Sequence, residues 1–405
     1  MKLYSRATRA LARPVAAAAI ASALAASTLA CTASDTEDGG ALDADTSPAA
    51  LTTGNASPAP TSEPPAVSAC SSRDEFLAQL TTRQKLAQLL NVGVTGKADA
   101  LSVVNGENIG GIFVTSWADP NFLASGEVRD VAAESAVPLM VTIDEEGGRV
   151  SRASHVIGQA PSARQIAQTL TVDETYELAR ERGGALRDLG VTADFAPVVD
   201  VTDQADSEVI GDRAFGATPE VVTDYAGAYA RGLRDAGVLP VLKHFPGHGS
   251  GTGDSHYEGV TTPPLDDLID WDLAPYRNLI DVGAAVMVGH LTVPGLTETG
   301  LPSSLSPATM SLLRDGEGYG AAPFDGLIFT DDLGSMRAVT DHFDITESVL
   351  RSLQAGADVA LWISTDAVTD VLDRLEDAVE TGELPLDQVE QSAVRVGVAK
   401  GRVDC

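Results

Sequence analysis

Short apolar runs alternate with longer stretches of helical period along residues 71–405. The runs at 89–94, 109–115, 138–144, 191–199, 240–245, 284–290, 327–331 and 358–363 lack strict apolar–polar alternation. That is the pattern of strands buried on both faces. Between them, segments such as 172–189 and 219–236 carry Ala, Leu, Glu and Arg at three- and four-residue spacing, with Gly190 and Gly237 as stops. Strand–helix alternation implies parallel strands covered by helices. Eight such units predict an α/β fold, a (β/α)8 TIM-type barrel in one domain over 70–405, with a doubly wound open sheet as the alternative.

The first seventy residues break this pattern. Lys2, Arg6, Arg9 and Arg13 precede an Ala-rich apolar run over 15–30, and Cys31 follows directly. The run is short for a membrane span and reads as an export signal over 1–30. Cys31 sits where a lipoprotein cysteine would be lipidated, although Thr28 and Leu29 reverse the usual order of the two preceding types; secretion without an anchor is the alternative. Residues 31–69 are rich in Ser, Thr, Pro, Ala and Asp and have no aromatic residue, which predicts a disordered tether. The chain is then expected outside the cytoplasm, on the outer side of the cell membrane. Cys70 and Cys405 bracket the folded part, and an oxidising compartment would allow them to pair. A net charge of −31 disfavours nucleic acid and bare anionic membrane as partners, leaving a lipid anchor as the route to a membrane. The domain is long enough to stand alone as a monomer.

Ionisable residues collect at the ends of the predicted strands: Asp144, Asp200, Lys243 with His244, His290, and Asp331 with Asp332. In a barrel those ends share one face, where chemistry gathers. Residues 243–256 hold three of the six histidines in a Gly-rich loop. His244, His248, His256 and Asp254 are acceptable zinc ligands, but their spacing matches no common zinc pattern, so no metal is expected. The Gly-rich runs do not open a helix after a strand, which argues against a dinucleotide, and no cofactor is expected. Asp254 lies two residues before His256, placing both on one side of an extended segment, where a carboxylate can orient an imidazole for proton transfer. Asp331 is the candidate nucleophile and Asp332 its structural neighbour, paired with backbone N–H groups or a base. Asp144, Arg213, Lys243 and His244 form a donor–acceptor set suited to a polyol such as a sugar. Gly147 and Gly148 allow a tight turn close to a ligand, and Gly247 and Gly249 shape the loop leaving the fifth strand.

These stretches together resemble glycoside hydrolase family 3, in its bacterial β-N-acetylglucosaminidase branch of NagZ type. The matching segments are 143–150 (IDEEGGRV), 194–201 (DFAPVVDV), 210–216 (IGDRAFG), 243–249 (KHFPGHG), 254–256 (DSH), 289–290 and 324–333 (FDGLIFTDDL). The resemblance implies a retaining exo-glycosidase acting on terminal β-linked GlcNAc of cell-wall or chitin-derived fragments. Asp331 would be the nucleophile, and His256, held by Asp254, the acid/base. Asp144, Arg213, Lys243 and His244 would hold the sugar hydroxyls. Three departures stand out: Glu145 replaces a usual Gln, Ser250-Gly251-Thr252 replaces Gly-Asp-Thr, and Gly334-Ser335-Met336 adds a residue. The first two are expected to change charge near the sugar. A β-glucosidase or a GlcNAc phosphorylase of the same family, or a sugar-binding lipoprotein, are the alternatives.

Overall fold

The computed structural model describes residues 72–403. The expected signal and tether, and Cys31, Cys70 and Cys405, lie outside the described residues. Eight parallel strands close into a barrel: β1 (Leu90–Val94), β2 (Gly111–Val114), β3 (Met140–Ile143), β4 (Ala193–Asp194), β5 (Leu239–Phe245), β6 (Ala285–Val288), β7 (Ile328–Asp332) and β8 (Val359–Trp362). Each pairs with its sequence neighbours, and β8 returns to β1 in the register Leu90↔Ala360 and Val92↔Trp362. That closure excludes the open doubly wound sheet. All eight expected strands are present. The fourth is much shorter than its apolar run, because Pro197 has no N–H to donate. Irregular contact with β5 continues past its end: Val241 N–H donates to the Ala196 carbonyl at 2.9 Å, and Val199 N–H donates to the Lys243 carbonyl at 2.8 Å.

Helix α1 (Val172–Leu189) starts with a capping box. The Thr171 hydroxyl accepts from Glu174 N–H, and the Glu174 carboxylate accepts from Thr171 N–H. Helix α2 (Pro219–Asp235) starts with Pro at its first turn and a Thr218 cap. The two pack closely because small residues line the contact. A Cβ at Gly232 would lie 2.5 Å from the Tyr176 carbonyl oxygen, and one at Gly183 would lie 2.8 Å from the Ala236 Cβ. At the opposite end of the domain, Phe76 and Val403 both press on Gly397 of the last helix, Leu386–Ala399. The first and last described segments therefore converge.

The loop leaving β5 is tucked against two neighbours without space for side chains at its glycines. A Cβ at Gly249 would sit 2.1 Å from the Val201 carbonyl oxygen, and one at Gly247 would sit 2.3 Å from the Asp272 Cβ. Asp272 braces the loop: it accepts from the Ser250 hydroxyl at 2.7 Å and from Ser250 N–H at 3.3 Å. Burial pushes the Asp272 carboxyl up to about 6; the Ser250 bonds pull it down and the Asp200 charge adds to the rise. A carboxyl raised in the native state binds its proton more tightly there than in the unfolded chain. Its stabilising contribution is present below pH about 4 and is lost as pH rises through about 6, a change of roughly 3 kcal/mol. Replacing Asp272→Asn should therefore flatten the stability–pH curve between pH 4 and 7, measured by denaturant unfolding at several pH values. A wild-type minus variant difference that does not move with pH would contradict this.

Candidate active site

A cavity of about 260 Å³ opens at the C-terminal ends of the barrel strands. Its apolar floor comes from Phe113 on β2, Phe195 just past β4, Met287 on β6 and Leu361 on β8. Alternate strands thus supply one layer, as a barrel interior requires. The Phe195 ring lies 5.5 Å from Phe113 and 5.4 Å from Phe329.

Above that floor stands a buried charge network. Lys243 ends its side chain between two carboxylates, 2.7 Å from Asp144 and 2.6 Å from Glu146. Arg213, on a single turn of 3-10 helix, grips Glu146 with two bonds of 2.8 Å. Burial works against both charged partners, yet the two cations hold the Glu146 carboxyl well below the usual range. The two acids outweigh burial at Lys243 and keep its ammonium pKa raised. Arg152 also lines the cavity; its Nε is buried without a hydrogen-bond partner, and the guanidinium meets Asp144 only at 3.8 Å.

His244 Nδ1 lies 2.7 Å from Asp200, and its Nε2 lies 3.4 Å from Arg213. With Nδ1–H donated to Asp200, Nε2 is left as the acceptor facing Arg213. The Lys243–His244 peptide is cis. Asp200 also accepts from His248 N–H at 2.7 Å, so one buried carboxylate holds the His244 ring and the His248 backbone. The His248 ring lines the cavity with neither nitrogen bonded, and burial lowers its pKa.

Asp331 and Asp332 end β7, and both line the cavity. Burial pushes the Asp331 carboxyl up, but His244, His290, the Asp332 N–H and Lys243 more than offset it and leave its pKa lowered. Asp332 is engaged: it accepts from Gly334 N–H at 2.8 Å and from the Ser335 hydroxyl. Burial raises its pKa. His290 spans from the Ser304 hydroxyl at 2.6 Å to the Asp332 carbonyl at 2.8 Å, buttressing this strand end. Across the cavity, His256 Nδ1 lies 2.7 Å from Asp254. The Asp254 carboxylate also accepts from His256 N–H at 3.0 Å, and its pKa is lowered: burial opposes this, but the two bonds to His256 prevail. The segment is a turn rather than the expected extended stretch; the carboxylate reaches His256 by closing over its own backbone, as Asp does in turns.

Seven residues were expected to act on or hold a sugar. Six line the cavity, and Asp254 joins them through His256. Other expectations need correction. Glu145 is fully buried away from the cavity, paired with Arg182 at 2.5 Å and accepting from Ala153 N–H at 2.7 Å. Ser250 is bonded to Asp272. Neither departure changes charge at the sugar. Gly147 and Gly148 turn a short hairpin against Pro161 and Ser162, not against a ligand. Arg149 pairs with Asp212 at 2.8 Å, stapling the loop that carries Arg213. Sequence reasoning missed Glu146, Arg152 and the exposed Trp117 at the rim. For Glu146 the available signal was alternation, since Asp144 and Glu146 are two residues apart and share a side where the chain is extended; Arg152 lies beyond the hairpin turn at Gly147 and Gly148, where that register is lost. Among the described residues, no group of three or more His, Cys, Asp or Glu could hold a metal ion, and no helix is long and apolar enough to cross a membrane.

Residues 81–398 match the model of the glycosyl hydrolase family 3 N-terminal domain. The chain is 56% identical over 352 residues to the β-hexosaminidase LpqI of Mycobacterium tuberculosis, covering 86% of this chain and 90% of that one. The solved structure of M. tuberculosis LpqI superposes with a TM-score of 0.80 at 57% identity, covering 82% of this chain and 97% of that one. A family 3 β-N-acetylglucosaminidase from Paenibacillus sp. FPU-7 superposes with a TM-score of 0.73 at 34% identity, covering 79% of this chain and 62% of that one. On barrel, site and sequence together, the chain belongs to glycoside hydrolase family 3.

Proposed function

We propose that this protein is an exo-acting, retaining β-N-acetylhexosaminidase that removes terminal β-linked GlcNAc from cell-wall or chitin-derived fragments. The observation that carries the reading is one cavity bounded by an ionised carboxylate, Asp331, and by an imidazole oriented by a carboxylate, His256 with Asp254. Asp331 attacks the anomeric carbon as the glycosidic C–O bond breaks, and His256 Nε2–H gives its proton to the leaving oxygen. His256 then takes a proton from water as that water attacks the anomeric carbon and releases Asp331. Two inversions retain configuration. Asp144, Lys243, His244, Arg213 and Arg152 hold the sugar hydroxyls, with Glu146 fixing Lys243 and Arg213. The hexosaminidase names of the relatives support this reading over a β-glucosidase, a phosphorylase or a sugar-binding lipoprotein.

In the same reading the enzyme is exported and held at the outer side of the membrane through a lipid on Cys31, with residues 31–69 as tether. The convergence of Phe76 and Val403 supports a Cys70–Cys405 disulfide. The leaving group passes His256, whose side chain is half exposed, and therefore lies at the rim, where Trp117 is 55% exposed. Trp117 is placed to pack against the leaving sugar.

Release of nitrophenol from p-nitrophenyl β-GlcNAc but not from the β-glucoside, at a rate independent of phosphate, is the expected behaviour. Asp331→Ala should lower kcat/KM by at least about 10³-fold, and His256→Ala by about 10²–10⁴-fold. Preference for the glucoside, a phosphate requirement, or binding without turnover would each replace the proposal with one of its alternatives. Trp117→Ala should raise KM about 2–10-fold for a GlcNAc disaccharide while leaving KM for a methyl glycoside unchanged. Equal effects on both substrates would remove Trp117 from the leaving-group side.

A further inference from the structure

In the stretch 252–259, which carries the acid/base, Ser255 is the one buried residue. His256 is half exposed and Tyr257 is 72% exposed, but Ser255 between Asp254 and His256 is only 3% exposed. Its hydroxyl lies 3.7 Å from the Met336 sulfur, and its carbonyl accepts from Ala338 N–H at 3.3 Å. Met336 is 7% exposed and caps the short helix Arg337–Thr340. The four residues before it are pinned in turn: Leu333 N–H donates to the Leu361 carbonyl at 2.9 Å, and Asp332 accepts from Gly334 N–H and from the Ser335 hydroxyl. A continuous path of contacts thus runs from the strand end bearing Asp331, through Asp332, Ser335 and Met336, to Ser255 and His256.

We propose that the Ser255–Met336 contact is a latch that positions His256 against Asp331, so that Met336 and Ser255 are positioning residues for proton transfer. The proposal rests on the glycosidase reading above. The physical argument is one of tolerance. Proton transfer in the transition state requires the donor within hydrogen-bond reach of the leaving oxygen. A half-exposed imidazole on a turn is held there only by what anchors the turn. The Asp254 carboxylate fixes the ring relative to its own backbone, not relative to Asp331. Ser255 supplies the second constraint, and Met336 receives it on the segment that begins at the nucleophile. The thioether is a weak acceptor on an adaptable side chain, so packing contributes most of the hold.

A defect in acid positioning has a signature that general damage lacks. Glycosides with very good leaving groups need no protonation, whereas poor ones depend on it. The test measures kcat/KM, which reports the first chemical step, across aryl β-GlcNAc substrates of increasing leaving-group pKa, from dinitrophenyl to unsubstituted phenyl, together with a GlcNAc disaccharide. Met336→Ala and Ser255→Gly should lose about 10²-fold on the disaccharide and less than about threefold on the dinitrophenyl substrate, steepening the dependence on leaving-group pKa. Met336→Leu, which conserves volume, should restore most of the loss. Thermal unfolding of each variant identifies any that fail to fold. A uniform loss across all leaving groups in a folded variant, or an unchanged slope, would overturn the latch. If the wild type hydrolyses none of these substrates, it is the glycosidase reading that fails.

Discussion

Charges removed from water must find partners, and that constraint organises the whole upper end of this barrel. Lys243 and Glu146 are almost fully buried and Arg213 largely so, and an isolated charge there would cost several kcal/mol. The solution is a closed set: Asp144 and Glu146 from one strand end, Lys243 from another, Arg213 from the turn between them. The parallel pairing of β3, β4 and β5 brings the partners within reach, since Asp144 and Lys243 stand 99 residues apart in the chain. A sugar entering this wall meets donors and acceptors already held in place, so binding costs little reorganisation.

The same constraint separates the two carboxylates that end β7. Adjacent acids in one strand cannot both stay charged in the same pocket without compensation. Asp331 is surrounded by His244, His290, Lys243 and a backbone N–H, and its pKa falls despite burial. At Asp332 burial and its neighbour's charge outweigh the Ser335 hydroxyl, the Gly334 N–H and His290, and its pKa rises. One residue is thereby kept as an anion, which the proposed attack on carbon requires. The other ties the following turn, and through it the segment that meets the acid/base loop.

The barrel was legible in the chain because strands buried on both faces read as unbroken apolar runs, and Gly190 and Gly237 marked helix ends. The order of ionisable residues at the strand ends placed Asp144, Lys243, His244 and Asp331 on one face before any coordinates. What remained hidden depends on partners distant in sequence. Glu145 looked like a change of charge beside the sugar, yet Arg182 of α1 takes it into the wall of the barrel. Arg149 follows three acids closely in the chain, yet it serves the loop at 208–212. The Asp254–His256 pair was legible by spacing, although a turn rather than an extended segment creates it. No periodicity identifies Ser255 with Met336, because their contact spans 81 residues and two loops.

The account turns on Asp331 forming a covalent bond to the sugar. The most direct measurement is incubation with a 5-fluoro-GlcNAc glycosyl fluoride, which slows the second step, followed by proteolysis and mass spectrometry of the labelled peptide. The account predicts one fluoro-GlcNAc adduct per chain, on the side chain of Asp331, lost on the Asp331→Ala variant. An adduct on Asp332, or turnover with inversion and no adduct at all, would contradict it.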